Sequence, residues 1–146
     1  MSTLTRGATA QLATFWLDGD LYGVEVEHVQ EVLRAQKLTR VPLAPAAVAG
    51  LINLRGQVVT AIELRERLAR PARPEGADTV VIVVRLHGEA VSFLVDGIAD
   101  VVHVDAADFE PPPDTLDGRA RDLIRGAYKL DGRLLLALDV ARAVAA

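Results

Sequence analysis

The sequence predicts a mainly β fold made of two similar units, with a few short helices. Short apolar segments alternate with turns centred on glycine, which is typical of hairpins. In several segments the apolar residues occupy every second position, the period of a strand with one buried face. The chain has 146 residues and is 51% hydrophobic, which suits one domain or two small units that share a core.

Four turns that contain glycine lie between apolar segments and predict four hairpins. They are Asp18-Gly19, Arg55-Gly56, His87-Gly88 and Asp131-Gly132. Glycine readily adopts the positive φ that a tight hairpin turn requires. We therefore expect a strand to end and another to begin at each of these positions.

The strands beside these turns differ in their predicted burial. After the first turn, apolar residues alternate with Glu25 and Glu27, which places both carboxylates on one face of a strand. The segment 91–95 shows the same alternation after the third turn. The valine-rich run 79–84 predicts a strand that is buried on both faces.

Proline marks two linkers in the sequence. Residues 69–78 contain two prolines and a glycine, and residues 105–118 contain three consecutive prolines. Proline cannot donate a hydrogen bond to a sheet, so neither stretch is expected to form a central strand. Short helices are predicted at 64–69 and 140–145, the second beginning after Asp139, a favourable N-cap.

Two internal matches indicate a duplicated unit. A shift of 69 positions places Leu17, Gly19, Val26, Val29, Glu31 and Val32 on Leu86, Gly88, Val95, Ile98, Asp100 and Val101. A shift of 76 positions places Gly50, Leu54, Gly56 and Ala61 on Gly126, Leu130, Gly132 and Ala137. Both matches occur in the same order and superpose turn glycines, so we expect one domain at 12–145 with two β units, at about 20–75 and 85–145. Units of this size gain stability by packing together.

Charge and composition argue against several classes of function. With 16 basic and 20 acidic residues the net charge is −4, and there is no basic block, so nucleic-acid binding is not expected. The lack of cysteine excludes disulfides and thiolate metal sites. The first residues lack the pattern of a signal peptide, and no apolar run reaches the ~18–20 residues that span a bilayer. We expect a cytoplasmic protein without membrane insertion.

No set of residues predicts catalysis, a cofactor or a metal ion. The three histidines, His28, His87 and His103, lack the spacing of a metal site, and no phosphate-binding glycine loop or nucleophile motif occurs. Glu25 and Glu27 would lie ~7 Å apart on the predicted strand, a separation that a glycosidase uses. The solvated face of a half-buried strand explains the same pair without chemistry.

The hairpin turn at Arg55 carries an unusual residue. The corresponding turn residue is Asp131 in the second unit and Asp18 in the first hairpin, and aspartate tolerates turn conformations better than a long side chain does. A type II turn would accept arginine before glycine, so an ordinary solvated arginine is one interpretation. The other is an anchor for a carboxylate or carbonyl of a partner protein, because guanidinium presents a fork of donors.

A valine-rich segment and one glycine also have two interpretations each. Val26, Val29 and Leu33 form one buried stripe if their segment is helical. Alternatively, some of these valines are exposed beside Glu31 and belong to an interface. Gly50 marks either the close approach of another backbone segment or a β-bulge, and a larger residue would be disruptive in both cases.

The segment 48–65 resembles the CheW family. It contains the string G-x-I-N-L-R-G-x-V-x-x-x-I-D/E-L-R, which is a specific signature of that family. Residues 22–32 resemble the family's Y-G-I-x-I-x-x-V-x-E-I segment, and residues 95–101 resemble its V-D-x-V-x-x-V segment. The resemblance covers about residues 12–145.

The resemblance implies two five-stranded SH3-like barrels packed on a shared core, and a non-catalytic adaptor of bacterial chemotaxis. The implied partners are the regulatory domain of a CheA-type histidine kinase, which is itself CheW-like, and the cytoplasmic tip of a methyl-accepting chemoreceptor, which docks near the junction of the barrels. Other CheW-like domains are further expected partners, and the expected location is at membrane-bound receptor arrays. Carried over by motif, the partner-binding positions are Val29, Glu31, Gly50, Arg55 and Val101, without an assignment of each to kinase or receptor.

Two positions depart from the family pattern, and two alternative functions stay open. Thr60 stands where the family usually has proline and restores a backbone donor, and Glu63 replaces aspartate as a weaker helix cap. One alternative is a CheW-like coupling protein of pilus-based motility or another chemosensory pathway. The other, from a different class, is a small-molecule-binding or hydrolytic β-barrel domain that uses Glu25, Glu27 or a histidine.

Overall fold

In a computed structural model that describes residues 9–34 and 36–145, the chain forms two β-sheets with three short helices. The strands are β1 (Thr9–Leu17), β2 (Asp20–Glu25), β3 (Val29–Arg34), β4 (Val48–Leu54), β5 (Gln57–Glu63), β6 (Val80–Leu86), β7 (Glu89–Val95), β8 (Gly97–Asp105), β9 (Phe109–Glu110), β10 (Ile124–Leu130) and β11 (Arg133–Leu138). The helices are α1 (Leu64–Arg67), α2 (Gly118–Leu123) and α3 (Val140–Val144). The predicted mainly β fold is confirmed.

The two sheets have nearly the same topology. One has five strands in the order β3-β6-β7-β5-β4, and the other has six in the order β8-β1-β2-β11-β10-β9. The sixth strand, β9, is an addition to the five that were expected. Its Phe109 packs edge-on against Tyr128, with ring centroids 5.1 Å apart, and lies over Gly126, where any Cβ would clash with the phenyl ring.

The duplication is visible in the fold, and the two repeats exchange strands. In order along the chain, β1 to β5 and α1 of the first repeat correspond to β6, β7, β8, β10, β11 and α3 of the second. Each sheet combines the first hairpin of one repeat with three corresponding strands of the other, and the six-stranded sheet adds β9. The five-stranded sheet therefore uses residues 29–95, and the six-stranded sheet uses the segments on either side. The units predicted at 20–75 and 85–145 follow the repeat and not this division into sheets.

One hydrophobic cluster joins the two sheets. Phe15 and Tyr22 of the six-stranded sheet stack with their ring centroids 5.8 Å apart, and Ile82 and Phe93 of the five-stranded sheet belong to the same buried cluster. Each sheet also has a smaller cluster of its own. Because burial of apolar surface stabilises a fold by about 25 cal/mol per Å², this shared core supplies much of the cohesion between the barrels.

Most of the local predictions are confirmed. All four glycine turns join antiparallel strands. In β6 the residues from Val81 to Val84 are at most 1% exposed, as expected for a strand that is buried on both faces. Asp139 caps α3, and its carboxylate accepts a hydrogen bond from the Arg142 amide at 3.0 Å. Glu63 caps α1 with a longer bond of 3.3 Å from the Arg65 amide.

One prediction around the first turn is wrong, and so is one of the two interpretations that were open for the segment after it. Four consecutive residues of β2 are buried and the strand ends at Glu25, while Glu27 belongs to a 3-10 turn, Val26–His28, so the two carboxylates do not share a strand face. The residues that follow form a strand and not a helical stripe. In β3, Val29, Glu31 and Leu33 are half-buried and their neighbours are exposed.

The second predicted linker contains more structure than expected. It includes β9 and the beginning of α2. Asp117 caps this helix, because its carboxylate accepts a hydrogen bond from the Ala120 amide at 3.3 Å. None of the helices in the described part of the chain is long and apolar enough to cross a bilayer.

Candidate functional site

Glu31 and Arg55, both predicted from the sequence as partner-binding residues, form an ion pair. Glu31 lies on β3 and Arg55 in the turn between β4 and β5, so the pair connects the two edge strands of the five-stranded sheet. Arg55 Nη1 donates to Glu31 Oε1 at 3.2 Å and Nη2 donates to Oε2, a forked arrangement. We call these two residues the seam pair.

The electrostatics of the seam pair keep both groups charged. The hydrogen bond from Arg55 lowers the pKa of the Glu31 carboxyl, and the same bond raises the pKa of the Arg55 guanidinium. The side chain of Arg55 is 68% exposed and that of Glu31 is 21% exposed. The carboxylate therefore contacts the guanidinium at the surface, while most of the Arg55 side chain stays exposed.

The backbone at Arg55 is not the type II turn that would accommodate arginine easily. Arg55 has φ 51° and Gly56 has φ 87°, so both central residues of the turn are left-handed, as in a type I′ turn. Asn53 supports the turn, and its Oδ1 accepts a hydrogen bond from the Gly56 amide at 2.9 Å. A left-handed conformation is unfavourable for a long side chain, so stability of the turn does not explain arginine at this position.

The structure places the other three predicted partner-binding residues in different surroundings. Val29 begins β3, pairs with Val84 and packs partly against the shared core. Val101 lies on β8 of the six-stranded sheet, and it is 54% exposed. Neither residue belongs to the seam pair.

Gly50 is buried, and both of its predicted structural roles are present. The register of β4 against β5 shifts between Val48 and Gly50, which marks a β-bulge. A Cβ at Gly50 would lie 2.6 Å from the Thr39 carbonyl oxygen. Thr39 pairs with Leu51 through two backbone hydrogen bonds, of 2.9 and 2.8 Å. Gly50 can thus influence a partner only through the backbone around it.

Two exposed apolar residues that were not predicted as partner-binding lie between the sheets. Val32 on β3 is 41% exposed and Ile98 on β8 is 45% exposed. They line an open groove of about 610 Å³ together with Arg34 and the beginning of β6. The internal repeat contained a signal for both, because it aligns Val32 with Val101 and Val29 with Ile98.

A second equivalent pair of apolar residues lies near the turns. Val58 and Leu134 are related by the shift of 76 positions and are both exposed. Each is the second residue of the strand that leaves a hairpin turn. The two barrels therefore present a similar apolar position on their surfaces.

Of the groups proposed for a hydrolytic site, His28 and Glu25 lie close together, with His28 Nε2 3.9 Å from Glu25 Oε1. Glu25 accepts a hydrogen bond from Arg125 at 3.1 Å, and Glu27 is exposed on the 3-10 turn. His103 Nε2 lies 2.9 Å from the side-chain nitrogen of Gln11. Over residues 9–34 and 36–145, no group of three or more acidic, histidine or cysteine side chains is arranged to hold a metal ion.

Comparison with known proteins identifies the family. A family model described as a CheW-like domain matches residues 11–146. The chain belongs to the CheW-like family. The chemotaxis protein CheW of Rhizobium meliloti is 31% identical over 137 residues, which cover 94% of this chain and 88% of that protein. The CheW of Treponema pallidum is 31% identical over 134 residues, which cover 89% of this chain and 79% of the relative.

The fold of this CheW-like chain is also found in a solved structure. The scaffolding protein TtCheW from Thermoanaerobacter tengcongensis matches with a TM-score of 0.79 and 29% identity, covering 89% of this chain and 88% of that one. The two packed SH3-like barrels implied by the sequence are thus the fold of a CheW protein. A further relative is the protein FrzA of Myxococcus xanthus, 34% identical over 111 residues, which cover 73% of this chain and 67% of FrzA.

Proposed function

We propose that this chain couples a CheA-type histidine kinase to the cytoplasmic tips of methyl-accepting chemoreceptors. It is a chemotaxis adaptor, and it acts by binding two proteins at once and not by turnover. The observation that carries this proposal is the match to the CheW-like family over residues 11–146, with relatives named as chemotaxis proteins and a solved relative named as a scaffold. In this role the protein works in the cytoplasm, beside the membrane-bound receptors.

The surface suits a protein that holds two partners. The five-stranded barrel offers the seam pair, in which the exposed Arg55 side chain is paired with Glu31. The six-stranded barrel offers Val101 and Ile98, which are exposed apolar residues. Binding energy at protein interfaces concentrates in a few such apolar and arginine contacts, while the surrounding polar groups contribute less. We include Val29 and Gly50 in the site, Val29 as a contact at its edge and Gly50 as a support for the nearby backbone.

The pathway has a second candidate. FrzA of Myxococcus xanthus has a similar percentage identity to this chain, 34%, over 73% of this chain's length. A CheW-like coupling protein of another chemosensory pathway would have the same fold and the same kind of surface. Because more of the relatives are named CheW and they cover more of the chain, the chemotaxis role is better supported.

The experiment that tests the proposal is reconstitution with a CheA-type kinase and a receptor tip fragment. Wild-type protein should form a ternary complex, and Arg55→Ala should weaken assembly about tenfold or more, as substitution of a strong interface residue does. The matched control is Arg125→Ala, which breaks an exposed arginine–glutamate pair on the other sheet, with Glu25. The control should bind within about twofold of wild type.

Each outcome of this experiment has a distinct meaning. Absence of both binary complexes with the wild-type chain would contradict the proposed function. If Arg55→Ala assembles with wild-type affinity, only the role of Arg55 is contradicted, and the proposed function stands. Circular dichroism spectra of both variants exclude misfolding as the cause of a loss.

A further inference from the structure

A charge cluster that shares no residue with the seam pair surrounds Asp96, at the point where the chain passes from β7 to β8 and so from one sheet to the other. Asp96 Oδ1 accepts hydrogen bonds from Arg65 Nε at 3.1 Å and from Arg73 Nε at 3.0 Å. Asp96 Oδ2 accepts from Arg65 Nη2 at 2.5 Å and from the Asp18 amide at 2.8 Å. One carboxylate thus receives four hydrogen bonds.

The same cluster crosses the boundary between the barrels. Asp18 and Asp20 lie at the turn between β1 and β2, in the six-stranded sheet, whereas Arg65 and Arg70 belong to α1 and the residues after it, on the five-stranded side. Arg70 Nη2 donates to Asp20 Oδ2 at 2.6 Å and to the Asp18 carbonyl at 3.2 Å. Arg65 Nη1 lies 3.7 Å from Asp18 Oδ1. We call these contacts and those of Asp96 the Asp96 cluster.

The arginines at the centre of the cluster are covered by protein. The side chains of Arg65 and Arg73 are 8% and 9% exposed. Removing charges from water is costly, so buried pairs of this kind add little net stability compared with apolar residues. Their effect is directional, because a hydrogen bond depends on angle while hydrophobic burial does not. The shared core joins the barrels, and the Asp96 cluster adds hydrogen bonds and ion pairs between them.

We propose that the Asp96 cluster is an orientation lock. It holds the β1–β2 turn and the crossover at Asp96 against the five-stranded barrel, and so sets the relative position of the two partner surfaces. This inference rests on the proposed function in one respect, that two partners bind at the same time. Without the lock each partner still finds its own surface, but the surfaces no longer hold the geometry that both partners need together.

Asp96→Asn is the perturbation that tests the lock. The substitution preserves the shape of the side chain but replaces one acceptor oxygen by an NH₂ group, which cannot accept a hydrogen bond. If the NH₂ group takes the place of Oδ2, it faces Arg65 Nη2 and the Asp18 amide. If it takes the place of Oδ1, it faces Arg65 Nε and Arg73 Nε. Either way two of the four hydrogen bonds are lost.

The first measurement needs no partner. In hydrogen exchange of the full chain, the Asp18 amide and neighbouring amides of the β1–β2 turn should exchange about tenfold faster in Asp96→Asn than in wild type. Amides in the middle of β6 should keep their protection. The matched control is Glu110→Gln, which breaks a 3.0 Å ion pair with Lys129 inside the six-stranded sheet and should leave the turn unchanged. If the amides of the β1–β2 turn exchange at the wild-type rate in Asp96→Asn, the proposal is wrong.

The second measurement separates a lock from general stability. Binding of Asp96→Asn to the kinase regulatory domain alone and to the receptor tip fragment alone should stay within about twofold of wild type, while the ternary complex should weaken about fivefold or more. An equal loss in all three complexes, or no loss in any, would overturn the lock. If the wild-type chain binds neither partner, the proposed function fails, and the exchange measurement still decides the structural part.

A milder variant covers the case in which Asp96→Asn does not fold. Asp18→Asn removes the carboxylate that faces Arg65 and Arg70 and leaves the bonds between Arg65 and Asp96 in place. The exchange rate of the turn and the ternary affinity should change in the same direction as for Asp96→Asn, by a smaller factor. No change in either quantity would overturn the proposal.

Discussion

Replacing Gly50 by alanine should destabilise the protein through contact with the Thr39 backbone. The added Cβ would lie 2.6 Å from the Thr39 carbonyl oxygen, and real Cβ contacts are essentially never shorter than 3.0 Å, so the two segments must separate. The carbonyl that has to move accepts a hydrogen bond from the Leu51 amide at 2.8 Å, and the reciprocal bond is 2.9 Å long. Separation therefore weakens both bonds of this bridge at once.

The size of the effect follows from these two bonds. A backbone hydrogen bond contributes about 1 kcal/mol net, so loss of the bridge costs about 2 kcal/mol. For a domain of this length that corresponds to a decrease in Tm of about 6 °C. Gly50→Asp adds the cost of placing a carboxylate at a buried position and should be more destabilising than Gly50→Ala.

Urea unfolding followed by circular dichroism measures this quantity. The matched control is Gly118→Ala, at the first residue of α2, where a Cβ would meet nothing within 4 Å. This control should be neutral or slightly stabilising, because alanine favours a helix. If Gly50→Ala unfolds within about 0.5 kcal/mol of wild type, the steric reasoning is wrong. If Gly50→Ala is destabilised but still assembles fully with both partners, the assignment of Gly50 to the partner-binding site is wrong.

Two further predictions concern the dependence of stability on pH. Burial raises the pKa of Tyr22 to about 12, with Arg70 opposing the rise. This folded value exceeds the unfolded value of about 10, so the contribution of Tyr22 to the free energy of unfolding is complete below pH 10. About 2.7 kcal/mol of it is lost as the pH rises through 12. Urea unfolding of Tyr22→Phe should not show this loss. Burial also acts to raise the pKa of Asp96, but hydrogen bonds from Arg65 and Arg73, among others, outweigh it and leave the pKa lowered. The contribution of Asp96 to the free energy of unfolding is therefore complete above about pH 4 and is lost at lower pH. If the stability of Asp96→Asn falls as steeply in acid as that of wild type, this prediction is wrong.

Features set by neighbouring residues could be predicted from the sequence. A turn glycine, an N-cap at Asp139 and a run of β-branched residues at 79–84 act over a few positions, so their structural effect can be inferred locally. The errors came where tertiary packing overrides a local pattern. Glu25 and Glu27 alternate with apolar residues as on a strand, but the chain turns after Glu25, and the alternation does not indicate where β2 ends.

The candidate site could be predicted residue by residue but not as an arrangement. Glu31 and Arg55 were each inferred from motif and turn chemistry, yet their contact depends on how the edges of the five-stranded sheet meet. No periodicity in the sequence determines which strands become neighbours. The internal repeat also indicates Val32 as a candidate surface residue, because it aligns Val32 with Val101 and both are exposed.

The exchange of strands explains why one linker does not divide the protein into two parts. The stretch 69–78 separates the repeats, but β1 and β2 before it pair within the six-stranded sheet with strands after it, and β3 and β5 pair with β6 and β7. A break in this stretch would leave each sheet with strands from both fragments, so neither fragment contains a complete barrel. The seam pair lies on the five-stranded sheet, whose central hairpin is formed by β6 and β7. This hairpin continues through Asp96 into β8 of the other sheet. The chain crosses between the sheets twice, at the 3-10 turn Val26–His28 and at Asp96, and the second crossing lies within the Asp96 cluster.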